Sequence, residues 1–445
     1  MNLIKALRLE SATSGLHRVI SLAGAGGKTT LMFKLGKEFI QSGLPQAILT
    51  ATSHLGSWQI PSADHHVIAD QTTVEQQFAR LKGTILITGQ IQDERSLPVG
   101  DKLLSILREW SKSKGVPLII EADGSRNRSL KAPAEHEPPI PAFSDEVIYL
   151  AGLSAWGHPL NSQFVHRPEA VSSICGLPMD SDISSNVFVR LFTDPRGGKK
   201  NIPPAARRTA FLNQADTDVL QSAGGEIANN LLRDFDSAVV GSLHQDQFLT
   251  FENVAGIVLA AGESRRFGSP KQLLDWKGKP FIRHIAETGL QAGLKPMIIV
   301  SGDHAIELSE TLTNLDVQIV HNDEYRLGQA TSIRKGVETL PASTGAAVFL
   351  LADQPQIPAS LLKALIDVHA RNLSRVLVPL VQSDRRGNPV LFDRAVFPDL
   401  LNLKGDTGGR GLFEKHPVDY LPWHDETILM DVDSPADYQK LIESQ

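Results

Sequence analysis

The chain has 445 residues, of which 41% are hydrophobic and 21% are charged, as is typical of a globular protein with two or three domains. The single cysteine, Cys175, excludes a disulfide framework and any multi-cysteine zinc or iron–sulfur site. A formal net charge of −6 argues against general binding to nucleic acid or to an anionic membrane, although backbone N–H groups can still bind phosphate. No apolar run is long enough to span a membrane and the first residues lack an export signal, so we expect a cytoplasmic protein.

Apolar runs rich in Val, Ile and Leu alternate with helical periodicity in the first half, which predicts buried parallel strands joined by helices. Leu31, Leu35 and Phe39 recur at the i, i+4 and i+8 spacing of one helix face. The predicted strands are Val19–Ala23, Ala47–Thr50, Thr84–Thr88, Pro117–Ile120 and Glu146–Leu150, and the predicted helices are Thr30–Gln41 and Asp101–Lys112. This alternation indicates an α/β fold.

The first predicted strand runs directly into the sequence GAGGKTT and then into a predicted helix. Glycines let the backbone wrap a phosphate group, Lys28 can reach the β- and γ-phosphates, and the hydroxyl of Thr29 can coordinate Mg²⁺. The standard spacing of such loops places another glycine at position 22, where this chain has Leu22. The residues predicted to form this phosphate site are Gly24, Gly26, Gly27, Lys28, Thr29 and Thr30.

Two further patterns in the first half fit a nucleotide site. Asp123 follows the run Pro117–Ile120 at the end of a predicted central strand, where a carboxylate holds Mg²⁺ or, alternatively, forms an ordinary turn. Asn213 and Asp216, in the sequence NQAD, resemble the base-reading N-K-x-D motif of GTPases, with Gln214 in place of its lysine. We therefore predict Asp123 as a metal ligand and Asn213 and Asp216 as base contacts.

The motifs GAGGKTT, EADGS, KAPAEHEP and VHRPE together resemble the YqeC family over residues 15–235. That family is described as accessory to selenium-dependent molybdenum hydroxylases, so the resemblance implies nucleotide binding, with ATP or GTP as the ligand, and a molybdenum hydroxylase as a client protein. A GTPase or kinase activity that depends on Lys28 is a further possibility for this half.

Two weaker signals lie in the same region. His136, His158 and His166 lie in or near the motifs, and we favour structural roles over metal binding because no pair has the i, i+4 helical spacing of metal ligands. Thr193–Arg208 carries five basic residues among Pro and Gly and is predicted to be an exposed loop. The alternative for this loop is closure over an anionic ligand.

The α/β pattern begins again after Gly241–Asn253, a mostly polar segment without clear periodicity. We therefore predict a first domain over residues 1–245 and a second over residues 250–445. The predicted strands of the second half are Gly256–Ala260, Met297–Ser301, Val317–His321, Val348–Ala352 and Val376–Val381, and the predicted helices are Pro280–Leu290 and Pro358–Arg371.

The sequence LAAGESRRFGSPK, residues 259–271, forms a tight loop after the first strand of the second half. Arg266 and Lys271 are placed to stabilise the negative charge of a departing pyrophosphate, which makes them candidate catalytic residues. Asp353, at the end of the strand Val348–Ala352, and Asp433, in the sequence DVDSPAD, are candidate ligands of one Mg²⁺. A helix cap is the alternative explanation of the second motif.

The long loop motif, together with DQP and DVDSPAD, resembles the MobA-like nucleotidyltransferase family over residues 254–442. The LAAG form, DQP and RGNP at 386–389 resemble its MocA branch, the CTP:molybdopterin cytidylyltransferases. Together the two resemblances imply two Rossmann-like three-layer domains, the first like P-loop NTPases and the second GT-A-like. The MobA-like resemblance adds the site residues. It implies that the nucleotide-binding residues are Leu259, Ala260, Ala261, Gly262, Lys271, Asn322 and Asp353.

We therefore expect an Mg²⁺-dependent enzyme that moves CMP from CTP onto the phosphate of a molybdopterin-type small molecule. Other candidates are another NTP, a sugar-phosphate acceptor, and a cofactor-delivery chaperone in which catalysis is secondary. Arg385, Arg386 and Arg410 would suit an anionic pterin phosphate, although each alone is typical of a surface charge.

Overall fold

The computed structural model describes residues 1–10, 17–69, 80–262, 267, 270–381 and 384–443. The chain divides into two compact units, Met1–Phe251 and Glu252–Gln445, which we call unit 1 and unit 2.

Unit 1 is built on a nine-stranded sheet in the order β14-β13-β12-β10-β1-β8-β2-β5-β4. Its strands are parallel except for the antiparallel pair β13–β14 at one edge. The described strands are β1 Val19–Gly24, β2 Gln46–Ala51, β3 Leu55–Gly56, β4 His65–Ile68, β5 Gly83–Thr88, β6 Ile91–Gln92, β7 Arg95–Ser96, β8 Leu118–Glu121, β9 Leu130–Lys131, β10 Glu146–Gly152, β11 Val165–His166, β12 Arg207–Asn213, β13 Ser237–Ser242 and β14 Gln247–Phe251.

Helices cover both faces of this sheet, because alternate residues of one strand point to opposite sides. Ile119 of β8 packs in a core with Leu31, Leu35 and Phe39, whereas its neighbour Ile120 packs on the other face with Leu107 and other apolar residues. The described helices are α1 Leu3–Ala6, α2 Lys28–Gln41, α3 Asp101–Lys114, α4 Pro168–Cys175, α5 Ser185–Thr193 and α6 Asp218–Leu231. The result is a three-layer α/β unit.

Unit 2 has a mixed sheet in the order β19-β18-β15-β20-β23-β21-β22, with β24 paired to β21. The pairs β15–β18, β15–β20 and β18–β19 are parallel, whereas β23 runs antiparallel to β20 and β21. The described strands are β15 Asn253–Ala260, β16 Asp275–Trp276, β17 Lys279–Pro280, β18 Met297–Ser301, β19 Val317–His321, β20 Thr344–Leu351, β21 Val376–Val381, β22 Arg385–Arg386, β23 Val390–Asp393 and β24 Val418–Pro422.

Two apolar clusters lie on opposite faces of the second sheet. Val348 and Leu350 of β20 belong to one cluster, and Ala347 and Phe349 belong to the other. The described helices are α7 Phe281–Ala292, α8 Ala305–Thr311, α9 Gln329–Glu338, α10 Ala359–Asn372, α11 Phe397–Leu401 and α12 Pro435–Glu443. In the described part of the chain, none of the helices combines the length and the apolar character needed to cross a bilayer.

The α/β class predicted from the sequence is confirmed, and each predicted strand and helix overlaps an observed one of the same type. Several strands were missed, among them β12, β13, β23 and β24. The polar segment 241–253, which the sequence marked only as a boundary, contains strand β14 and the first residue of β15. Residues of β14 alternate between more and less buried positions, so its sequence has no continuous apolar run.

Each of the two large sheets has a parallel strand from which the chain continues to both sides of the sheet. In unit 1, the strands β8, β2, β5 and β4 lie on one side of β1, and the strands β10, β12, β13 and β14 lie on the other side. In unit 2, β15 is followed by β18 on one side and by β20 on the other. The crevice at the carboxyl ends of the strands at such a point is the usual ligand site of open α/β sheets. Both glycine loops leave the sheets at these points.

A buried chain of charges ties the segments around the unit 1 loop together. The Nζ atom of Lys131 lies 2.6 Å from Asp123 Oδ2 and 2.8 Å from Glu137 Oε2. Arg167 donates to both oxygens of Glu137 at 2.7 and 3.1 Å. Partial burial alone would raise the pKa of Glu137, but the hydrogen bonds and charges of Arg167 and Lys131 outweigh it and lower the pKa to about 2.

We predict that the substitution Glu137→Gln destabilises the protein most above pH 4.5. A carboxyl group whose pKa is lowered on folding stabilises the fold above its unfolded pKa, and this contribution is lost as the pH falls through about 2. Urea unfolding at pH 7 should show a loss of about 2–3 kcal/mol that shrinks steadily below pH 4.5. The exposed neighbour Glu135, changed to Gln, is the matched control and should show no such trend. If Glu137→Gln lowers the free energy of unfolding by the same amount at every pH, the lowered pKa of Glu137 is contradicted.

Candidate active sites

The phosphate loop of unit 1 connects β1 to α2 through a backbone path that only glycine follows easily. Gly24, Gly26 and Gly27 have φ angles of +98°, +76° and +126°. A Cβ atom on Gly26 would lie 2.3 Å from the backbone nitrogen of Gly152, and one on Gly27 would lie 2.5 Å from Asn213 Nδ2. The chain therefore turns tightly into α2, whose first N–H groups have no partner within the helix.

A polar cavity of about 230 Å³, which we call the phosphate cavity, lies at this turn. Sites that enclose a drug-sized ligand usually measure about 300–1,000 Å³, so this cavity matches a phosphate chain better than a whole nucleotide. The residues that line it are Gly26, Gly27, Lys28, Thr29, Thr30, Gln59, Glu121, Ser125, Asn127, Arg128 and Gln214. Gly24, which was predicted to belong to the phosphate site, is not among these residues.

Lys28 is buried among oxygen atoms. Its Nζ donates to the carbonyl oxygen of Gly24 at 2.7 Å and lies 3.4 Å from Asp123 Oδ1 and 4.0 Å from Glu121 Oε1. Thr29 donates its hydroxyl to Glu121 Oε2 at 2.7 Å. Burial raises the pKa of Glu121, while the charge of Lys28 and the bond from Thr29 oppose the rise. Glu121 and Thr29 are thus the pair of oxygen ligands that a Mg²⁺ ion in this cavity would use.

The metal role predicted for Asp123 is not supported by this geometry. Asp123 accepts the backbone N–H of Gly24 at 3.1 Å through Oδ1, and its other oxygen faces Lys131 at 2.6 Å. Its side chain is not among the residues that line the phosphate cavity. Glu121, two residues earlier in the EADGS motif, lines the cavity and accepts from Thr29. The two carboxyl groups therefore differ in their partners and in their access to the cavity.

The NQAD motif is brought to the loop, but its members have different roles. Asn213 donates to the carbonyl oxygen of Gly26 at 2.7 Å and accepts the N–H of Leu243 at 3.0 Å, so its amide supports the glycine turn. Gln214 lines the phosphate cavity, and its Oε1 accepts from Ser154. Asp216 is exposed and lies outside the set of lining residues.

Described contacts involve His158 and the basic segment of unit 1, and the surroundings of His166 disfavour its charged form. His158 stacks on Phe164 with 4.2 Å between ring centroids, and burial together with Arg167, Lys131 and Arg126 lowers the pKa of His166 to about 4. In the basic segment, Lys199 forms an ion pair with Asp234, and Arg196 forms one with Asp194. Lys200 donates to the carbonyl oxygens of Ala134 and Glu135, so these cations contact other residues of unit 1.

The second glycine loop leaves β15 of unit 2 and is held by a buried glutamine. Gln272 Nε2 donates to the carbonyl oxygens of Ala260 at 2.9 Å and Gly262 at 3.0 Å. Gln272 was not among the predicted site residues, because one amide in a polar loop forms no recognisable sequence pattern. Arg266, predicted as a catalytic cation, lies outside the described residues.

Two adjoining cavities lie at the carboxyl ends of β15 and β20, and they share Leu259, Gln329 and Leu351. Cavity A measures about 640 Å³ and cavity B about 470 Å³. Cavity A is lined by Leu259, Ala261, Gly262, Lys271, Gln272, Tyr325, Arg326, Leu327, Gly328, Gln329, Ser332, Leu351, Ala352, Asp353 and Asp406. Of the predicted nucleotide contacts, Leu259, Ala261, Gly262, Lys271 and Asp353 are in this set.

Ala260 and Asn322 are the two predicted nucleotide contacts that do not line cavity A. Asn322 is buried, and its amide donates to the hydroxyl groups of Thr331 at 2.9 Å and Ser332 at 3.0 Å. Its carbonyl oxygen accepts the N–H of Glu324. Asn322 therefore supports the turn that carries Tyr325 and the following residues to the wall of the cavity.

Lys271 joins two of the predicted metal ligands. Its Nζ lies 2.6 Å from Asp353 Oδ2 and 3.1 Å from Asp433 Oδ1. Burial alone would lower the pKa of Lys271, but the two carboxylates outweigh it and the pKa is raised. Burial, together with the negative charges of Asp353 and Asp433, raises the pKa of the nearby Asp431, whose Oδ1 accepts from Gln354 at 2.6 Å.

The carboxylate of Asp353 fits a divalent cation. Its Oδ1 is buried and makes no hydrogen bond to any part of the chain that the structure describes, and such an atom is costly unless something binds it. No group of three or more His, Cys, Asp or Glu ligands is found within the described ranges, so Mg²⁺ at Asp353 and Asp433 would complete its coordination with phosphate oxygens and water.

Cavity B has apolar walls and a polar rim. Ile333, Phe349, Phe392 and Leu400 are among the lining residues, together with the glycine-rich segment 407–411, Asn388 and Asp431. Of the three arginines suggested for an anionic acceptor, Arg410 lines the cavity. Arg386 instead lies over the rings of Phe413 and Tyr420, and Arg385 lies 3.9 Å from Glu426.

Three proteins illustrate what the two units are similar to. The YqeC protein of Escherichia coli strain K12 is 32% identical over 228 residues, which are 49% of this chain and 85% of that protein. Nicotine blue oxidoreductase of Paenarthrobacter nicotinovorans is 28% identical over 42% of this chain and 96% of its own length. A probable molybdenum cofactor guanylyltransferase of Bacillus cereus strain Q1 is 33% identical over 31% of this chain and 66% of that protein.

The family models agree with this division. Residues 20–169 match the YqeC protein family, and residues 256–420 match the family of MobA-like NTP transferase domains. The chain therefore belongs to the YqeC family through unit 1 and carries a MobA-like NTP transferase domain in unit 2.

Proposed function

We propose that unit 2 transfers CMP from CTP to the phosphate of a molybdopterin-type acceptor and releases pyrophosphate. One observation carries this proposal: Lys271 is paired with Asp353 and Asp433 at the wall of cavity A, and Asp431, beside them, belongs to the wall of cavity B. The two cavities can hold two substrates whose reacting groups meet at this acidic cluster.

The reaction requires charge to be stabilised at both ends of the breaking bond. An oxygen of the acceptor phosphate bonds to the α-phosphorus of the NTP, the bond from the α-phosphorus to the bridging oxygen breaks, and pyrophosphate departs with the electron pair. Lys271, once it turns from Asp353 to the phosphates, stabilises the charge on the departing group. Mg²⁺ held by Asp353 and Asp433 would neutralise the α-phosphate oxygens and make the phosphorus more open to attack.

The lining of cavity B supports a flat, aromatic acceptor with polar edges. Phe349 and Phe392 contribute aromatic surface, with their ring centroids 5.6 Å apart, and Arg410 supplies a planar cation. A pterin ring with a phosphate tail matches this combination, because its faces can stack on aromatic rings while Asn388 and Asp431 offer hydrogen-bond partners to its polar edge.

The choice of CTP rests on the LAAG, DQP and RGNP sequences, and GTP is the competing donor because a similar protein is named a molybdenum cofactor guanylyltransferase. For unit 1 we propose a second nucleotide, ATP or GTP, with its phosphates in the phosphate cavity. Together the units would prepare a cofactor for a molybdenum hydroxylase.

We predict that the full chain transfers label from α-³²P-labelled CTP to molybdopterin in the presence of Mg²⁺, and that it uses ATP, GTP and UTP less well. Thin-layer separation of the labelled product measures the transfer. Faster transfer from GTP would show that GTP, and not CTP, is the donor. Transfer to a sugar phosphate but not to molybdopterin would show that the acceptor is a sugar phosphate. Absence of transfer from all four NTPs would refute a catalytic role and leave cofactor delivery.

Asp353→Asn should lower the transfer rate about 100-fold or more, because the amide keeps the shape of the side chain but loses the charge that holds a cation. Asp419→Asn, on the exposed strand β24, is the matched control and should leave the rate unchanged. The rates are measured at saturating CTP over a range of Mg²⁺ concentrations. Full activity of the Asp353 variant would contradict the metal role.

Lys28→Ala should weaken the binding of ATP or GTP to unit 1 about 10- to 100-fold, as expected for the loss of a hydrogen bond to a charged group. Equilibrium binding is measured in the Asp353→Asn background to reduce binding by unit 2. Lys37→Ala, on the exposed face of the same helix, controls for helix effects. Unchanged affinity in a Lys28 variant of normal thermal stability would rule out this phosphate site.

A further inference from the structure

We propose that unit 1 hydrolyses the γ-phosphate bond of a nucleoside triphosphate and that Arg128 is the catalytic cation of this reaction. The inference rests on the proposed nucleotide site of unit 1 and adds an activity to it. Its basis is the way the segment Ser125–Arg128 is attached to the phosphate loop.

Arg128 is fixed to the phosphate loop through its backbone. The N–H of Gly26 donates to the carbonyl oxygen of Arg128 at 3.1 Å, and the N–H of Arg128 donates to the carbonyl oxygen of Ser125 at 3.0 Å. These bonds close a turn beside the glycines and hold the Cα atom of Arg128 in register with them. A displacement of the phosphate loop would therefore move Arg128, and a displacement of Arg128 would move the loop.

The side chain of Arg128 is available to a ligand. It is exposed at the rim and lines the phosphate cavity, and among the residues that the structure describes its guanidinium makes neither an ion pair nor a hydrogen bond. Its planar group presents several N–H donors in a geometry that matches phosphate oxygens. The fold does not need this side chain, since the backbone makes the contacts that hold the turn.

The charge in the cavity leaves a role for a second cation. Lys28 already lies near the carboxyl groups of Asp123 and Glu121 and donates to the carbonyl oxygen of Gly24. Lys28 and Arg128 are the only cationic side chains among the described lining residues. A triphosphate whose γ-phosphoryl group is being transferred spreads negative charge over its oxygens, and an arginine directed at them stabilises the transition state.

The hydrolysis balances with water as the co-reactant. A water oxygen bonds to the γ-phosphorus, the bond from the γ-phosphorus to the β–γ bridging oxygen breaks, and its electron pair stays on the nucleoside diphosphate. One proton of the water remains on orthophosphate and the other passes to solvent. Glu121 and Thr29 would hold the Mg²⁺ that accompanies the nucleotide, while Asp123 stays with Lys131.

Arg126 provides a matched control within the same turn. It is exposed, carries the same charge and lies two residues away, but it is not among the residues that line the phosphate cavity. Its electrostatic effect falls instead on His166, whose pKa it helps to lower. A general loss of positive charge from the surface would affect both arginine variants alike.

The experiment measures orthophosphate release from ATP and GTP with Mg²⁺, using the full chain with Asp353→Asn and no molybdopterin, so that unit 2 does not contribute product. We expect Arg128→Ala to lower turnover at saturating NTP about 1,000-fold or more and to change NTP affinity less than tenfold. We also expect the variant to lose the stable complex that the parent protein forms with nucleoside diphosphate and aluminium fluoride; formation of this complex is called retention below. Arg126→Ala should keep both turnover and retention.

The outcomes separate the inference from the proposed site. Binding that depends on Lys28, without orthophosphate release or aluminium fluoride retention by the chain with native Arg128, overturns the hydrolase inference and leaves the nucleotide site. Equal turnover of Arg128→Ala and its parent overturns the role of Arg128. Failure of the parent chain to bind any NTP through Lys28 overturns the nucleotide site itself and the inference with it.

Discussion

The organisation of both sites depends on a lysine–carboxylate contact between neighbouring parallel strands. In unit 1, Lys28 follows β1 and lies 3.4 Å from Asp123 after β8. In unit 2, Lys271 follows β15 and lies 2.6 Å from Asp353 after β20. A buried or half-buried charge needs a partner, so each pair holds its glycine loop against the adjacent strand end. The same pair brings a cation and an anion to the crevice where α/β sheets bind ligands.

The two pairs differ in what else competes for the carboxylate, and this difference separates their chemistry. Asp123 is also held by Lys131 and by the N–H of Gly24, so it remains in place as a support for the loop. One buried oxygen of each carboxylate makes no hydrogen bond in the described structure, but Oδ2 of Asp123 lies 2.6 Å from Lys131, whereas Oδ1 of Asp353 has no ion pair among the described residues. In the proposed sites, a metal ion would therefore replace Lys271 at Asp353 in unit 2, whereas in unit 1 it would bind Glu121 and Thr29, which share a hydrogen bond.

The sequence predicted the α/β class and the two glycine loops, and it named Lys271, Asp353 and Asp433 as site residues, because apolar runs, glycine spacing and strand ends are local signals. It did not predict that Lys271 pairs with Asp353 and Asp433. It could not distinguish Glu121 from Asp123, since the choice depends on Lys131, which returns to the site on the separate strand β9. Asn322 and Gln272 show the same limit, because both act through hydrogen bonds to backbone or hydroxyl groups that only the fold brings near. Arg128 is a candidate because its carbonyl oxygen accepts the N–H of Gly26, a contact that only the fold creates.

The proposed transfer requires Lys271 and Asp353 to separate when the substrate binds. The ammonium group of Lys271 would then contact the phosphates, and the carboxylate of Asp353 would hold the cation. A crystal structure of the full chain with CTP and Mn²⁺, with the metal located by its anomalous signal, tests this directly. The account predicts Mn²⁺ bonded to Asp353 and to an α-phosphate oxygen, with the Nζ of Lys271 on the phosphates. A metal bound elsewhere, with Lys271 still paired to Asp353 and Asp433 beside a bound nucleotide, would contradict it.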